Sequence, residues 1–145
     1  MNARDPGVRD RAGYLVKQLQ QALRARMDDA LRALDLSTAQ YAVLSAIEEQ
    51  PRSSGADLAR RCFITPQSVN ALLAGLEKRA LIERTASKTH GRIIETALTK
   101  TGRARLMRAH DVVTGIEARM LEDLDKSERR QLTALLARAI ESLTR

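Results

Sequence analysis

The chain has 145 residues, of which 43% are hydrophobic and 30% charged, so one globular domain with a sizeable core is expected. No apolar run approaches the roughly 20 residues that a membrane span needs, and Met1 to Asp10 lack the apolar segment of a signal peptide. A cytoplasmic protein is therefore expected. One cysteine, Cys62, excludes an intrachain disulfide, and 2% aromatic residues are too few for a platform that stacks single-stranded bases.

The net charge of +7 is unevenly distributed along the chain. Residues 1–50 carry seven basic and seven acidic residues, residues 52–92 carry eight and three, and residues 93–145 carry ten and eight. The middle third thus has a net charge of +5, as expected of a polyanion-binding module between nearly neutral flanks. A solvated basic surface would explain the charge equally well.

The first predicted element is a long helix over residues 9–34. Its apolar residues recur at three- and four-residue spacing and form one stripe: Leu15, Leu19, Ala22, Leu23, Met27, Ala30, Leu31 and Leu34. A capping box at Ser37 and Gln40 predicts a second helix, which carries Tyr41, Leu44 and Ile47.

Two shorter helices follow. Ser54 and Asp57 form a second capping box, which predicts a helix that ends near Cys62. Thr65 and Pro66 supply an N-cap and a proline at the first helical position, so a further helix is predicted over residues 66–79. Its inward face is expected to consist of Val69, Leu72, Leu73 and Leu76.

The periodicity then changes. Residues 81–85 and 92–98 alternate as strands on either side of a polar loop, 86–91, which predicts a β-hairpin. Thr99 caps a helix predicted over residues 100–124, and a capping box at Asp125 and Glu128 opens a last helix. The fold class is therefore mainly α with a small β-hairpin (α+β): a winged helix-turn-helix flanked by helices.

The helix over residues 66–79 has the outward face of a DNA-reading helix. Its first two turns are uncharged, and Gln and Asn can bond bidentately to adenine in the major groove. The predicted contacts of this helix are Thr65, Pro66, Gln67, Ser68, Asn70 and Ala71. The β-hairpin is the wing of this fold. Contacts to DNA from the wing, or to the DNA backbone, are predicted for Arg60, Arg61, Arg84, Lys88, His90 and Arg92.

The stretch from Leu36 to Gly102 resembles the MarR family of bacterial transcription regulators. The resemblance is carried by LSTAQYAVLSAI, GADLARRCFITPQSVNALLAGLEKRALIER and ALTKTGR, and by the order of the helices around them. It implies a single domain over residues 1–145, with a winged DNA-binding part at 37–98 and dimerisation helices at 9–34 and 100–145. It also implies a homodimer that binds a pseudo-palindromic operator, usually as a repressor released by a small ligand.

The resemblance extends to particular positions. It implies that the helix over residues 66–79 is the recognition helix and that the wing enters the minor groove. The family's wing carries an Asp two residues before an Arg; here Arg92 is present and His90 occupies the Asp position. A ligand pocket between the first, second and 100–124 helices is implied, with Tyr14, Tyr41 and His110 as lining candidates.

The sequence also bears on three other functions. An enzyme is not expected, and neither is a metal or cofactor, because the sequence has no phosphate-binding glycine loop, nucleophile elbow or metal-ligand spacing. Cys62 is predicted to be a small core thiol, not an oxidant sensor. The alternative function is a winged-helix protein-interaction module without DNA binding. The absence of acidic residues from helix 66–79 before Glu77 favours DNA.

Overall fold

The computed structural model describes residues 7–145, so the first six positions of the N-terminal segment lie outside the described residues. After a short 3-10 turn at Val8–Asp10, the elements are α1 Ala12–Arg32, α2 Thr38–Glu49, α3 Gly55–Cys62, α4 Pro66–Lys78, β1 Ile82–Ala86, β2 Ile94–Leu98, α5 Lys100–Met120 and α6 Lys126–Thr144. This order confirms the predicted winged helix-turn-helix with flanking helices.

Helices α2 to α6 start where the capping residues predicted. The side chain of each of their N-cap residues accepts a backbone N–H of the first turn: Ser37, Ser54, Thr65, Thr99 and Asp125. Ser37, Ser54 and Asp125 also complete a capping box. α1 starts at Ala12, three residues later than predicted, and its N-cap residue Arg11 makes no such bond. The helix ends were less well predicted. α1 ends at Arg32 because the chain turns at Asp35, which adopts φ 52°, and Leu36 N–H donates back to the Leu31 carbonyl at 3.1 Å.

One core lies between the C-terminal end of α1, α2, α3, α4, the hairpin and the first half of α5. Its largest fully buried side chains are aliphatic: Leu31, Leu44, Ile47, Leu58, Leu73, Leu76, Leu81, Ile82 and Leu106. Leu72, which was predicted to be buried, is only partly so, because it lies at the edge of the stripe formed by Val69, Leu73 and Leu76. The core thus holds α3, α4 and the hairpin in one fixed arrangement.

The hairpin is tied to the helices at its base. β1 and β2 pair antiparallel from Ile82 opposite Leu98 to Ala86 opposite Ile94. Thr96 is buried, its hydroxyl donates to the Ser53 carbonyl at 2.9 Å, and its backbone exchanges bonds of 3.0 Å with Arg52 and Ser53. The turn before α3 therefore bonds along the free edge of β2, which supplies support that two strands alone lack.

The helices at the two ends of the described chain leave apolar side chains uncovered. α6 buries no residue, and Ile140 and Leu143 are 63% and 89% exposed. On α1, Leu15 and Val16 are each 51% exposed, although Leu31 in the same helix is fully buried. The apolar stripes predicted for these helices are therefore only partly used within one chain.

Candidate nucleic-acid interface

The helix-turn-helix is built by α3, a three-residue turn and α4. The turn is sharp because Phe63 adopts the left-handed region at φ 56° and its N–H donates to carbonyls of α3. Thr65 then caps α4, and Pro66 opens the helix where no N–H is required. Val69, Leu73 and Leu76 fix α4 on the core, so its opposite face lies outward along its whole length.

The outward face of α4 presents short polar and small side chains. Gln67, Ser68, Asn70, Ala71 and Ala74 are all exposed. Ser68 is partly engaged, since the Thr65 hydroxyl accepts its N–H at 3.1 Å and donates to its Oγ at 2.9 Å. Within the described part of the chain, the side-chain amide groups of Gln67 and Asn70 have no hydrogen-bond partner. They are therefore free to bond to base edges.

The two arginines of α3 differ sharply. Arg61 is turned inward: its guanidinium donates to the Ala46 carbonyl at 2.9 Å and the Ser53 hydroxyl at 3.3 Å, and pairs with Glu49 at 3.0 Å. This network joins α3 to the end of α2 and to the α2–α3 turn, so the guanidinium that was predicted to contact DNA is held by bonds inside the unit. Arg60 is exposed, and among residues 7–145 its ion-pair partner is Asp57 alone.

Arg84, for which the sequence predicts a DNA contact from the wing, is turned toward the helices. It lies opposite Thr96 in the hairpin, on the face of the sheet that packs against the helices. Its guanidinium pairs with Glu77 of α4 at 3.1 Å, and its side chain is 26% exposed. The two-residue alternation of β1 from buried Ile82 already predicts this orientation. Arg84 therefore ties the hairpin to α4.

The wing tip carries the remaining predicted cations. Lys88, His90 and Arg92 are exposed in the loop between β1 and β2. Ser87, which the sequence analysis did not single out, is 5% exposed and organises this loop. Its Oγ accepts the backbone N–H groups of Thr89 at 3.3 Å and His90 at 3.1 Å. The hydroxyl of Ser87, directly after β1, thus holds the wing tip in a chain where His90 replaces the Asp of the family pattern.

Two of the three predicted pocket residues meet between α2 and α5. The Tyr41 hydroxyl lies 2.8 Å from Nδ1 of His110, and Nε2 of His110 lies 2.9 Å from a carboxylate oxygen of Glu48. Tyr14 is not part of this group. It lies in the first turn of α1, whereas Val112, two residues after His110 on α5, lies beside Ala30, so roughly 24 Å of α1 separates Tyr14 from this group. Tyr41, His110 and Glu48 thus bridge the DNA-binding part to α5.

Cys62 lies at the end of α3 and packs against the core. Its thiol contacts the Ala42 carbonyl at 3.6 Å, and burial raises the pKa of Cys62. A raised pKa leaves less of the reactive thiolate at neutral pH. Cys62 is thus half-buried at the edge of the core and not fully inside it, and its lack of a sensor role stays a prediction.

Residues 7–145 contain neither a metal-binding cluster nor a membrane-spanning helix. No group of three or more His, Cys, Asp or Glu side chains there could hold a metal ion. No helix in the same range is long and apolar enough to cross a membrane.

The fold and this surface define a winged helix-turn-helix protein whose exposed α4 face and basic hairpin tip lie on one continuous unit. The profile of the MarR family matches residues 34–93. The chain is also 35% identical, over 86% of its length and 89% of the relative's, to the HTH-type transcriptional repressor Rv2887 of Mycobacterium tuberculosis. This chain belongs to the MarR family of winged helix-turn-helix transcription regulators, as the sequence motifs predicted.

Solved structures give the same result. The transcriptional repressor CouR, bound to a 23-mer DNA duplex, matches with a TM-score of 0.85 and 28% identity over 97% of this chain and 99% of that one. The Mycobacterium tuberculosis protein Rv2887 in complex with salicylic acid matches with a TM-score of 0.75 and 33% identity, over 95% and 99% of the two chains.

Proposed function

We propose that this protein is a homodimeric repressor that binds a pseudo-palindromic operator in double-stranded DNA and is released by a small molecule. The observation that carries the proposal is the outward face of α4, where Gln67 and Asn70 are exposed, uncharged and free of internal bonds. A helix held rigidly by buried aliphatic residues, with such a face, fits the major groove. The structure of CouR with a DNA duplex supports this function.

The contacts divide into two kinds. Gln67 and Asn70 are proposed to read base edges, while Thr65, Pro66, Ser68 and Ala71 line the approach of α4 to the groove. Arg60, Lys88, His90 and Arg92 are proposed to contact the backbone and the minor groove, because they are exposed around α4 and at the wing tip. Arg61 and Arg84 are assigned to positioning, since their guanidinium groups are held inside the unit.

An effector is proposed on the joint between the DNA-binding part and the dimerisation helices. The complex of Rv2887 with salicylic acid supports a small-molecule effector for this chain. Tyr41 and His110 lie on that joint, but a ligand there would have to displace the bond between them. We assign no catalytic role to the chain, and because its proposed target is chromosomal DNA, its proposed place of action is the cytoplasm.

The test begins with selection of a duplex by the wild-type protein from a random 30-base-pair pool. Gln67→Ala and Asn70→Ala should each weaken binding to the selected duplex by roughly 1–3 kcal/mol and leave binding to scrambled DNA nearly unchanged, because neither side chain is charged. Arg92→Ala should weaken binding to both DNAs and reduce the salt slope by about one.

Arg108→Ala, which removes an equal charge from an exposed position on α5, is the matched control for Arg92→Ala and should bind as the wild type does. If the wild type selects no sequence, the chain is a protein-interaction module and the proposal fails. Equal losses on both DNAs for Gln67→Ala and Asn70→Ala would show that α4 is not the reading helix.

A further inference from the structure

Both the exposure of its side chain and the conformation of its backbone make Phe63 an unfavourable residue at its position. It is the chain's one phenylalanine, and its side chain is 94% exposed in the turn between α3 and α4. Its backbone adopts φ 56°, a left-handed conformation that costs a residue other than glycine about 1–2 kcal/mol. Glycine would meet the turn's geometry without that cost. Neither the packing nor the backbone of this chain therefore accounts for an aromatic ring at position 63.

The position of Phe63 points to DNA. Residues 63 and 67 are four apart, so their Cα atoms lie at most about 14 Å from each other. Since successive base pairs are about 3.4 Å apart, this separation of the two Cα atoms spans at most about four base-pair steps. Arg60, one turn earlier, is exposed and cationic, and its neighbours Ala56, Ala59, Ile64 and Pro66 line a shallow apolar groove beside the start of α4.

A protein partner is the other class of occupant for an exposed ring. DNA is favoured because Thr65, Pro66 and Gln67, which follow Phe63 along the chain, are exposed as it is, and no residue between 63 and 67 is acidic. The apolar feature that DNA offers in the major groove is the C5 methyl group of thymine, and phenylalanine is one of the side chains that contact it.

We propose that Phe63 is a specificity-determining residue whose ring contacts the C5 methyl group of one thymine in each half-site, at the edge of the stretch that α4 reads. The inference rests on the proposed function and extends the readout beyond the polar residues of α4. The contact adds a preference for thymine over cytosine at that position, because cytosine lacks the methyl group.

The test removes the methyl group and the ring separately. Each thymine of the selected duplex is replaced in turn by uracil, which differs only by the missing methyl. At one position per half-site, uracil should weaken wild-type binding by about fourfold, the effect of one buried methyl group. Phe63→Ala and Phe63→Gly should bind the thymine and uracil duplexes equally, and each should bind the thymine duplex more weakly than the wild type does.

The two variants also separate the ring from the backbone. Alanine keeps the left-handed strain and glycine removes it, so Phe63→Gly should unfold at a higher temperature than Phe63→Ala while the two show the same DNA affinity. A uracil effect of equal size in the wild type and both variants would overturn the inference. So would unchanged affinity of both variants for the selected duplex, which would assign the ring to a protein partner. A wild type that selects no DNA would instead defeat the proposed function itself.

Discussion

At the scale of single residues, Gly102 controls how closely α5 approaches the hairpin. A Cβ atom at this position would lie 1.9 Å from the Leu81 carbonyl oxygen, which also accepts the Thr99 N–H at 3.1 Å. The obstruction is backbone, so it cannot rotate away. Gly102→Ala should lower the free energy of unfolding by about 1–3 kcal/mol or more, measured by urea denaturation.

Gly75 of α4 provides the matched control. A Cβ atom there would meet nothing within 4 Å, so Gly75→Ala should raise stability by roughly 0.5–1 kcal/mol through helix propensity alone. Equal effects of the two substitutions would show that the contact between α5 and Leu81 is not close.

At the scale of elements, the wing depends on one buried hydroxyl. Ser87→Ala removes the acceptor for the Thr89 and His90 N–H groups, and a lost hydrogen bond of this kind costs about 0.5–1.5 kcal/mol locally. The amides of residues 89 and 90 should then exchange faster in hydrogen-exchange mass spectrometry, and DNA affinity should fall because the tip no longer holds Lys88 and Arg92 in place. Thr85→Ala, at an exposed position of β1, should change neither property.

The joint between α1 and α2 makes stability sensitive to acid. Thr38 donates its N–H at 3.1 Å and its hydroxyl at 2.5 Å to Asp28, and these bonds lower the pKa of the Asp28 carboxyl. The stabilisation is therefore complete above the unfolded pKa of about 3.9 and is lost as the pH falls through the lower folded pKa. Urea denaturation at pH 6 and pH 3 should show a smaller loss of stability on acidification for Asp28→Asn than for the wild type.

Asp29→Asn is the control for this experiment, because the Asp29 carboxylate pairs with Arg32 at 3.4 Å on the helix surface and with no other cation of the described residues. It should keep the wild-type dependence on pH. A wild-type dependence in Asp28→Asn as well would mean that the bonds to Thr38 do not control the acid response.

At the scale of the whole molecule, the exposed apolar stripes of α1 and α6 predict that a second copy of the chain packs against them. A symmetric interface would bury Leu135, Ile140 and Leu143, which are 57%, 63% and 89% exposed in one chain. Light scattering should give about twice the chain mass of 16.1 kDa. The double variant Ile140→Asp with Leu143→Asp should be monomeric and should lose high-affinity binding to a two-half-site duplex.

Ala134→Asp places one such charge on the opposite face of α6 and should remain dimeric. A monomeric wild type at micromolar concentration would contradict the dimer, and so would a double variant that keeps the wild-type mass.

The sequence by itself determined the order of the elements, because each signal is local. Capping residues such as Ser54 and Thr65 fix where helices begin, and the switch from a helical to a two-residue period marks the hairpin. The exposed, uncharged face of α4 followed from the same periodicity. Helix ends were less certain, because the turn at Asp35 depends on a backbone conformation that its residue type does not demand.

Only the tertiary structure decided which arginine side chains are exposed to solvent and which are held by internal hydrogen bonds. Arg60 and Arg61 are neighbours of the same type, yet Arg61 is drawn inward by Ala46, Ser53 and Glu49, which lie on other segments. Arg84 likewise pairs with Glu77 across the contact between the hairpin and α4. Hydrogen bonds between distant segments depend on three-dimensional packing, which no spacing along the chain records.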